Sequence, residues 1–205
     1  MSPPRRQWAI AGGLVSLLLA LGCSSTTSVS DSAPPPPDPN QERVVFVALG
    51  GDETLNRQLD DPLRDAWTQR VFMNALPRSA VHVNFATRDA TVREGIDEQL
   101  PAALELRPTL ATLWFGSADA SMSTRADVFE RDLTQLVADL QATGTRVVLL
   151  SPVDASGQGE SDYANSVQAV ATTTNSELVA VPTVDLSSNT TQAAIATAVE
   201  DSLGP

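Results

Sequence analysis

The chain has 205 residues and one cysteine, so it can bury a sizeable core but cannot form an internal disulfide or a zinc site built from several cysteines. It carries 13 basic residues, all of them arginine, against 25 acidic residues, for a formal net charge of −12. Such a charge repels a nucleic-acid backbone or an anionic lipid surface, and it favours solubility. We therefore expect no nucleic-acid partner.

The first 22 residues have the three zones of a bacterial export signal. Arg5 and Arg6 form a positive start, Ile10–Leu21 (IAGGLVSLLLAL) is apolar and uncharged, and a glycine precedes Cys23. The apolar run is shorter than a comfortable membrane span, which indicates a signal peptide. A small residue directly before a lone cysteine resembles the lipobox of bacterial lipoproteins. We predict a signal peptide over residues 1–22 and lipidation of Cys23; cleavage nearby that leaves a free thiol is the alternative.

Residues 23–41 form a Ser/Thr/Pro-rich tether. The stretch has almost no large apolar residue and contains Pro34–Pro37. Such a composition cannot bury enough surface to offset the entropy of ordering, and a proline run is extended and stiff. We predict that the tether spaces a folded domain, residues 42–205, from the bacterial membrane to which Cys23 anchors it. Binding of the prolines in the groove of a partner is the alternative.

From Arg43 onward, strand patterns alternate with helix patterns. The predicted strands are Val44–Leu49, Ala80–Phe85, Leu110–Phe115, Arg146–Leu150 (stopped by Ser151-Pro152) and Leu178–Val181. The predicted helices cover about residues 62–76, 91–106 with an interruption near Pro101, 125–143 with Thr124 at its start, 162–174 and 191–203. Continuous apolar strands between helices predict a three-layer α/β/α sandwich around a five-stranded parallel sheet, with a flavodoxin-like architecture.

Acidic residues follow every predicted strand. They are Asp52 and Glu53, then Asp89, Asp119, Asp154 and Asp185. Ligands of parallel α/β sheets bind at the carboxyl ends of the strands, so we look for function there. Carboxylates that converge there could hold Ca²⁺ or Mg²⁺ through Asp52, Glu53, Asp89 and Asp119. Loop aspartates that cap helices and make turns are the favoured interpretation, because no compact metal-loop spacing is present, and we expect no cofactor.

Composition argues against a Ser-His-Asp hydrolase. The only histidine, His82, lies inside the second predicted strand, away from its carboxyl end. No Gly-x-Ser-x-Gly sequence is present. A serine nucleophile needs an imidazole beside it to take its proton, and His82 is not placed to do so. We predict that His82 packs within the sheet or against a helix.

Four stretches of the chain, in order, resemble the SGNH (GDSL-type) hydrolase family. They are VVFVALGGDETL at Val44–Leu55, VNFATRDATVREGIDEQLPAALELRPTLATLWFGSAD at Val83–Asp119, FERDLTQLVADLQATGTRVVLLSPV at Phe129–Val153 and DYANSVQAVA at Asp162–Ala171. The first stretch corresponds to the family's opening strand and nucleophile turn. The second corresponds to the second and third sequence blocks with the helix between them. The third corresponds to the next helix and strand, and the fourth to a helix that often carries a Tyr-Asn pair. The resemblance implies an SGNH-type fold.

The same resemblance implies that the catalytic positions have changed. The family's nucleophilic serine corresponds to Asp52, or to Glu53 if one glycine is extra. The glycine and the asparagine that donate to the oxyanion correspond to Asp89 and Ala118, while the aspartate after that asparagine is retained as Asp119. The family's closing Asp-x-x-His has no histidine after its aspartate. The candidate pocket consists of Asp52, Glu53, Asp89, Ala118 and Asp119, and we predict that none of these five residues is catalytic.

Loss of the nucleophile, the base and two oxyanion donors predicts a pseudoenzyme, since each donor alone contributes on the order of 100- to 1000-fold in rate. We predict an exported, lipid-anchored envelope protein that binds a cell-wall glycan, a lipid or a protein partner. The alternative is an ester hydrolase or a metal-assisted hydrolase that uses the acidic pocket.

Overall fold

The computed structural model describes residues 43–153, 161–182 and 185–204. The strands are β1 Val45–Gly50, β2 Val81–Asn84, β3 Leu110–Trp114, β4 Arg146–Val153 and β5 Glu177–Pro182. The helices are α1 Asp52–Leu55, α2 Pro62–Asp65, α3 Trp67–Ala75, α4 Val92–Glu94, α5 Leu100–Glu105, α6 Ser117–Ser121, α7 Ala126–Gln141, α8 Ser161–Thr174 and α9 Asn189–Leu203. The predicted signal peptide, Cys23, the tether and Asp154 lie outside the described residues.

The strands form one parallel sheet in the order β2-β1-β3-β4-β5. Because every pairing is parallel, the carboxyl ends of all five strands lie at one edge of the sheet. The strand order reverses between β1 and β3, and this is the position at which open α/β sheets bind their ligands. The predicted five-stranded α/β fold is confirmed.

Side chains alternate along β1 between two apolar layers. Phe46 and Ala48 pack with α3 and α9, whereas Val47 and Leu49 pack with α4, α7 and α8, and all four are fully buried. Burial on both faces explains why the strand is a continuous apolar run rather than an alternating one. Within the described ranges, no helix has the length and apolar character that a membrane span requires.

The helix predicted over residues 91–106 is continuous, so the predicted interruption at Pro101 is wrong. α4 passes through a π-helical turn, Gly95–Gln99, directly into α5. Proline has no N–H donor and its ring excludes the carbonyl four residues back, and the wider turn before Pro101 accommodates both. The start agrees with the prediction: Thr91 and Glu94 form a capping box.

Three other predicted boundaries differ from the structure. β4 does not stop at Ser151-Pro152, because it pairs with β5 as far as Val153, beyond the end of its register with β3 at Leu149. A residue without an N–H is tolerated where a strand has lost one neighbour. α7 begins after Arg125, not at Thr124, and the side chain of Arg125 instead pairs with Asp127. The helix predicted over 62–76 breaks at Ala66, whose ψ of 140° is extended.

Candidate functional site

The predicted pocket is built on the turn that follows β1. Asp52 and Glu53 are the first two residues of α1, and Gly51 is its N-cap. A Cβ on Gly50 would lie 2.4 Å from the carbonyl oxygen of Trp114 and 2.5 Å from the hydroxyl of Thr54. The turn is therefore packed directly against the end of β3, and only glycine fits at its start.

The buried side chain of Gln99 holds this turn in place. Its Oε1 accepts from the N–H of Gly50 at 3.0 Å, and its Nε2 donates to the Gly50 carbonyl at 3.0 Å and to the hydroxyl of Thr87 at 3.1 Å. The turn carries Asp52, and Thr87 belongs to the loop that carries Asp89. A single amide group in the π-helical turn therefore positions both sides of the pocket.

We expect Gln99→Leu to lower the free energy of unfolding by about 2 kcal/mol, because it leaves the buried N–H of Gly50 unpaired. Urea unfolding followed by circular dichroism measures this loss. Gln135→Leu is the matched control, since Gln135 is an exposed residue of α7. Equal stabilities of the two variants would show that Gln99 does not support the turn.

The carboxylate of Asp52 lies on the backbone of the loop after β2. Its Oδ2 accepts from the N–H of Asp89 at 3.0 Å. Asp89 has φ of 51°, a left-handed conformation that is uncommon for residues other than glycine, and the family resemblance places a glycine here. An anionic oxygen of the chain itself thus occupies the N–H that the resemblance assigns to the oxyanion.

Glu53 has a different environment, and this separates the two candidates for the serine position. Its Oε2 is buried without a hydrogen-bond partner in the described part of the chain. A Cβ on Gly51 would lie 3.3 Å from that oxygen and 3.5 Å from the carbonyl of Ala90. The backbone carbonyl of Glu53 accepts from Nε1 of Trp67 at 3.0 Å. Of the two carboxylates, Asp52 is therefore the one that contacts the N–H that the resemblance assigns to the oxyanion.

Asp119 binds the start of α4. Its side chain is buried, and Oδ2 accepts from the N–H of Val92 at 3.1 Å while Oδ1 lacks a partner among the described residues. The pKa of Asp119 is raised to about 6, mainly by burial and to a smaller extent by the nearby carboxylates of Asp132 and Glu94. The hydrogen bond from the Val92 N–H acts in the opposite direction and lowers it. The preceding Ala118 is also buried, and its methyl group offers no donor.

His82 packs inside the domain, as predicted. Its ring stacks on Phe46 at 4.7 Å and on Phe72 at 5.7 Å between centroids, and it pairs with Phe46, the second residue of β1. Burial lowers the pKa of His82 to about 4, and its Nε2 is buried without a partner among the described residues. The imidazole therefore cannot act at the carboxyl edge of the sheet.

The loop after β5 has the position of the family's closing motif but not its chemistry. Asp185 has φ of 47° and accepts from the hydroxyl of Ser187 at 2.5 Å. Ser188, which stands where the family has histidine, is the N-cap of α9. This segment therefore makes a turn and starts a helix, as loop aspartates and serines commonly do.

The predicted acidic residues have separate partners. Asp52 binds the loop after β2, and Asp119 binds the first N–H of α4. Among the residues that the structure describes, no group of three or more histidine, cysteine, aspartate or glutamate side chains is arranged to hold a metal ion. Where their contacts are seen, these acids fix turns and helix ends.

Comparison with known families agrees with this geometry. A model of the GDSL-like lipase/acylhydrolase family matches residues 56–201, which is most of the chain. The chain belongs to this family. The match begins just after the turn that carries Asp52 and Glu53, the part of the GDSL-like domain in which the resemblance implied the change of nucleophile. No curated protein matches the chain.

Solved structures show the same fold for the GDSL-like domain. Axe2, an acetylxylan esterase from Geobacillus stearothermophilus, superposes with a TM-score of 0.65 at 16% identity, over 79% of this chain and 94% of Axe2. The psychrotrophic esterase EstA from Pseudoalteromonas sp. has a TM-score of 0.62 at 18% identity, over 78% and 96% of the two chains. LAE5, an alpha/beta hydrolase from the metagenome of Lake Arreo, Spain, has a TM-score of 0.65 at 18% identity, over 78% and 95%.

Proposed function

We propose that this GDSL-like domain is a non-catalytic member of its family that acts as a binding module at the bacterial envelope. The observation that carries the proposal is the hydrogen bond from the Asp89 N–H to the carboxylate of Asp52. An ester oxygen that develops negative charge needs this N–H free, and it would instead meet an anion. The side chain of Ala118 supplies no second donor in place of the family's asparagine, so the stabilisation that drives acyl transfer is missing.

The turn also lacks an alternative nucleophile. Thr54 is the only hydroxyl residue of α1, it is fully buried, and its Oγ1 packs against Gly50. Attack by the Asp52 carboxylate would form an anhydride, and no imidazole is near to activate the water that must resolve it. Family membership keeps ester hydrolysis as the second candidate, but His82 stacks on Phe46 and Phe72 at the amino end of β1.

The envelope location is part of the same proposal. It is supported by the charged start, the apolar run and the Gly22-Cys23 junction of the sequence. Lipidation of Cys23 would anchor the domain through the tether, and the bound partner would be a cell-wall glycan, a lipid or a protein. No cofactor is required for this role.

A serine-reactive phosphonate probe tests whether the site is inert. We expect no covalent adduct on the full chain by mass spectrometry, because no hydroxyl is activated at the oxyanion donor. The esterase EstA is a suitable positive control, because its crystal structure is that of the enzyme inhibited by monoethylphosphonate. A stoichiometric adduct on any side chain of the turn Gly50–Asn56 would overturn the proposal.

A further inference from the structure

Exposed arginines gather at the amino edge of the sheet, opposite the edge that carries Asp52. Since the strands are parallel, the residues that precede them share this edge. Arg43 lies two residues before β1, Arg78 and Arg107 each lie three residues before β2 and β3, and Arg146 is the first residue of β4. All four arginines are exposed.

Three of these arginines are free to bind a ligand. Arg146 pairs with Glu177 at 2.6 Å, but Arg43, Arg78 and Arg107 have no ion pair among the residues that the structure describes. This edge also has exposed acids, Glu105 and Asp201, so it is nearly balanced in charge. The opposite edge is more acidic, with exposed Asp60, Asp61, Asp89, Asp162 and Asp185 against the exposed Arg57 and Arg88.

A mainly apolar groove of about 310 Å³ lies at the amino edge. Its lining includes Val44, Leu76, Pro77, Leu110 and Leu203, together with the ion-paired Arg146. Arg43 adjoins Val44, Arg78 adjoins Pro77, and Arg107 lies two residues before Thr109. Guanidinium groups bind phosphate oxygens in a bidentate geometry, and an apolar groove at the same edge suits the hydrocarbon part of the same molecule.

The chain also enters the domain at this edge, because β1, the first strand, begins at Val45, four residues after the predicted tether ends. We propose that the amino edge, through Arg43, Arg78, Arg107 and the apolar groove at this edge, docks on an anionic phospholipid bilayer. Docking turns the pocket of Asp52 away from the membrane, toward the cell wall. This inference rests on the proposed lipid anchor at Cys23.

The net charge of −12 does not oppose docking in this orientation. The six residues of β1 separate the two edges by about 20 Å, which exceeds the Debye length of about 8 Å at physiological ionic strength. The acidic edge is therefore screened from the bilayer when the amino edge faces it. With the acidic edge facing the lipid, the repulsion expected from the overall charge applies in full.

Site-specific fluorescence quenching tests this orientation on the lipidated full chain. The chain has a single cysteine, Cys23, which the anchor consumes, so one introduced thiol takes one label. Ser79→Cys places the label beside the groove, and Ser121→Cys places it at the opposite edge. The protein is reconstituted into vesicles of phosphatidylcholine, with or without phosphatidylglycerol, that contain a lipid with a headgroup quencher.

We expect severalfold stronger quenching at position 79 than at position 121, and only on vesicles with phosphatidylglycerol. The triple variant Arg43→Gln, Arg78→Gln, Arg107→Gln should lose this difference, since each arginine contributes about fivefold to binding at an anionic surface. The double variant Arg57→Gln, Arg88→Gln is the control, because it removes two exposed arginines from the acidic edge. Equal quenching of the two labels, or a difference that survives the triple variant, would overturn the inference.

Flotation of the same samples separates the inference from the anchor on which it depends. With phosphatidylcholine vesicles alone, the wild type should float and Cys23→Ser should not. Failure of the wild type to float would contradict the lipid anchor. Flotation without any difference between the two labels would contradict docking of the amino edge alone.

Discussion

Asp119→Asn should make the free energy of unfolding less dependent on pH. The wild-type domain should lose stability as the pH rises from about 4 to about 7, and the variant should not show this loss. Burial raises the pKa of Asp119 from 3.8 to about 6, so the folded state holds this proton more tightly than the unfolded state. The stabilisation is complete below pH 3.8 and is lost as the pH rises through 6. The whole change corresponds to about 3 kcal/mol.

Urea unfolding at pH 4.5 and at pH 7 measures this effect. The test compares the free energy of unfolding at pH 4.5 with that at pH 7. A stability measured at one pH would not suffice, because burying the asparagine amide group at the position of Oδ1 changes the stability at every pH. Asp60→Asn is the control, since Asp60 is exposed in the loop before α2. The explanation fails if Asp119→Asn keeps the wild-type difference between pH 4.5 and pH 7.

His82→Phe should have the opposite effect on the pH dependence. Burial lowers the pKa of His82 from 6.5 to about 4, so the unfolded state binds the proton more tightly. The stability that the neutral ring provides is present above pH 6.5 and is lost as the pH falls through 4, a change of about 3 kcal/mol. Phenylalanine keeps the stack with Phe46 and Phe72 without titrating, and it replaces a buried nitrogen that has no partner among the described residues.

The variant should therefore be more stable than the wild type at pH 4.5, by an amount that shrinks toward pH 7. Nuclear magnetic resonance of the wild type gives an independent check, because the chain has one histidine and so one imidazole signal to titrate. A pKa near 6.5 in the folded protein would contradict a half-buried ring that stays neutral. Since the effects of His82 and Asp119 oppose each other between pH 4 and 6, only the single variants reveal them.

The sheet was predictable because each strand that is buried on both faces is a continuous apolar run. β1 is such a run, β3 is one apart from the buried Thr112, and the stripe Phe129, Leu133, Leu136 and Leu140 identifies α7 by its spacing. Element ends were less predictable. Pro101 and Pro152 stop elements by local rules, but a π-helical turn accommodates the first, and the second lies where β4 has passed the end of its pairing with β3.

The identity of the pocket residues was predictable, whereas their contacts were not. Because of the Gly50-Gly51 pair, either Asp52 or Glu53 can align with the family's nucleophilic serine. The two differ only in the structure, where the loop after β2 places the Asp89 N–H on Asp52. Gln99 was missed altogether, although it falls seven residues after Val92, on the buried face that also carries Ile96 and Leu100. A lone amide on such a face is the signal that could have indicated a buried brace.

Hydrolysis of short-chain p-nitrophenyl esters by the full chain, compared with Asp52→Ala, is the most direct test of an inert pocket. With a carboxylate on the Asp89 N–H and the imidazole inside the sheet, we predict that both proteins release p-nitrophenol no faster than buffer does. Turnover by the wild type that exceeds the buffer rate and disappears in Asp52→Ala would show that the turn after β1 is catalytic.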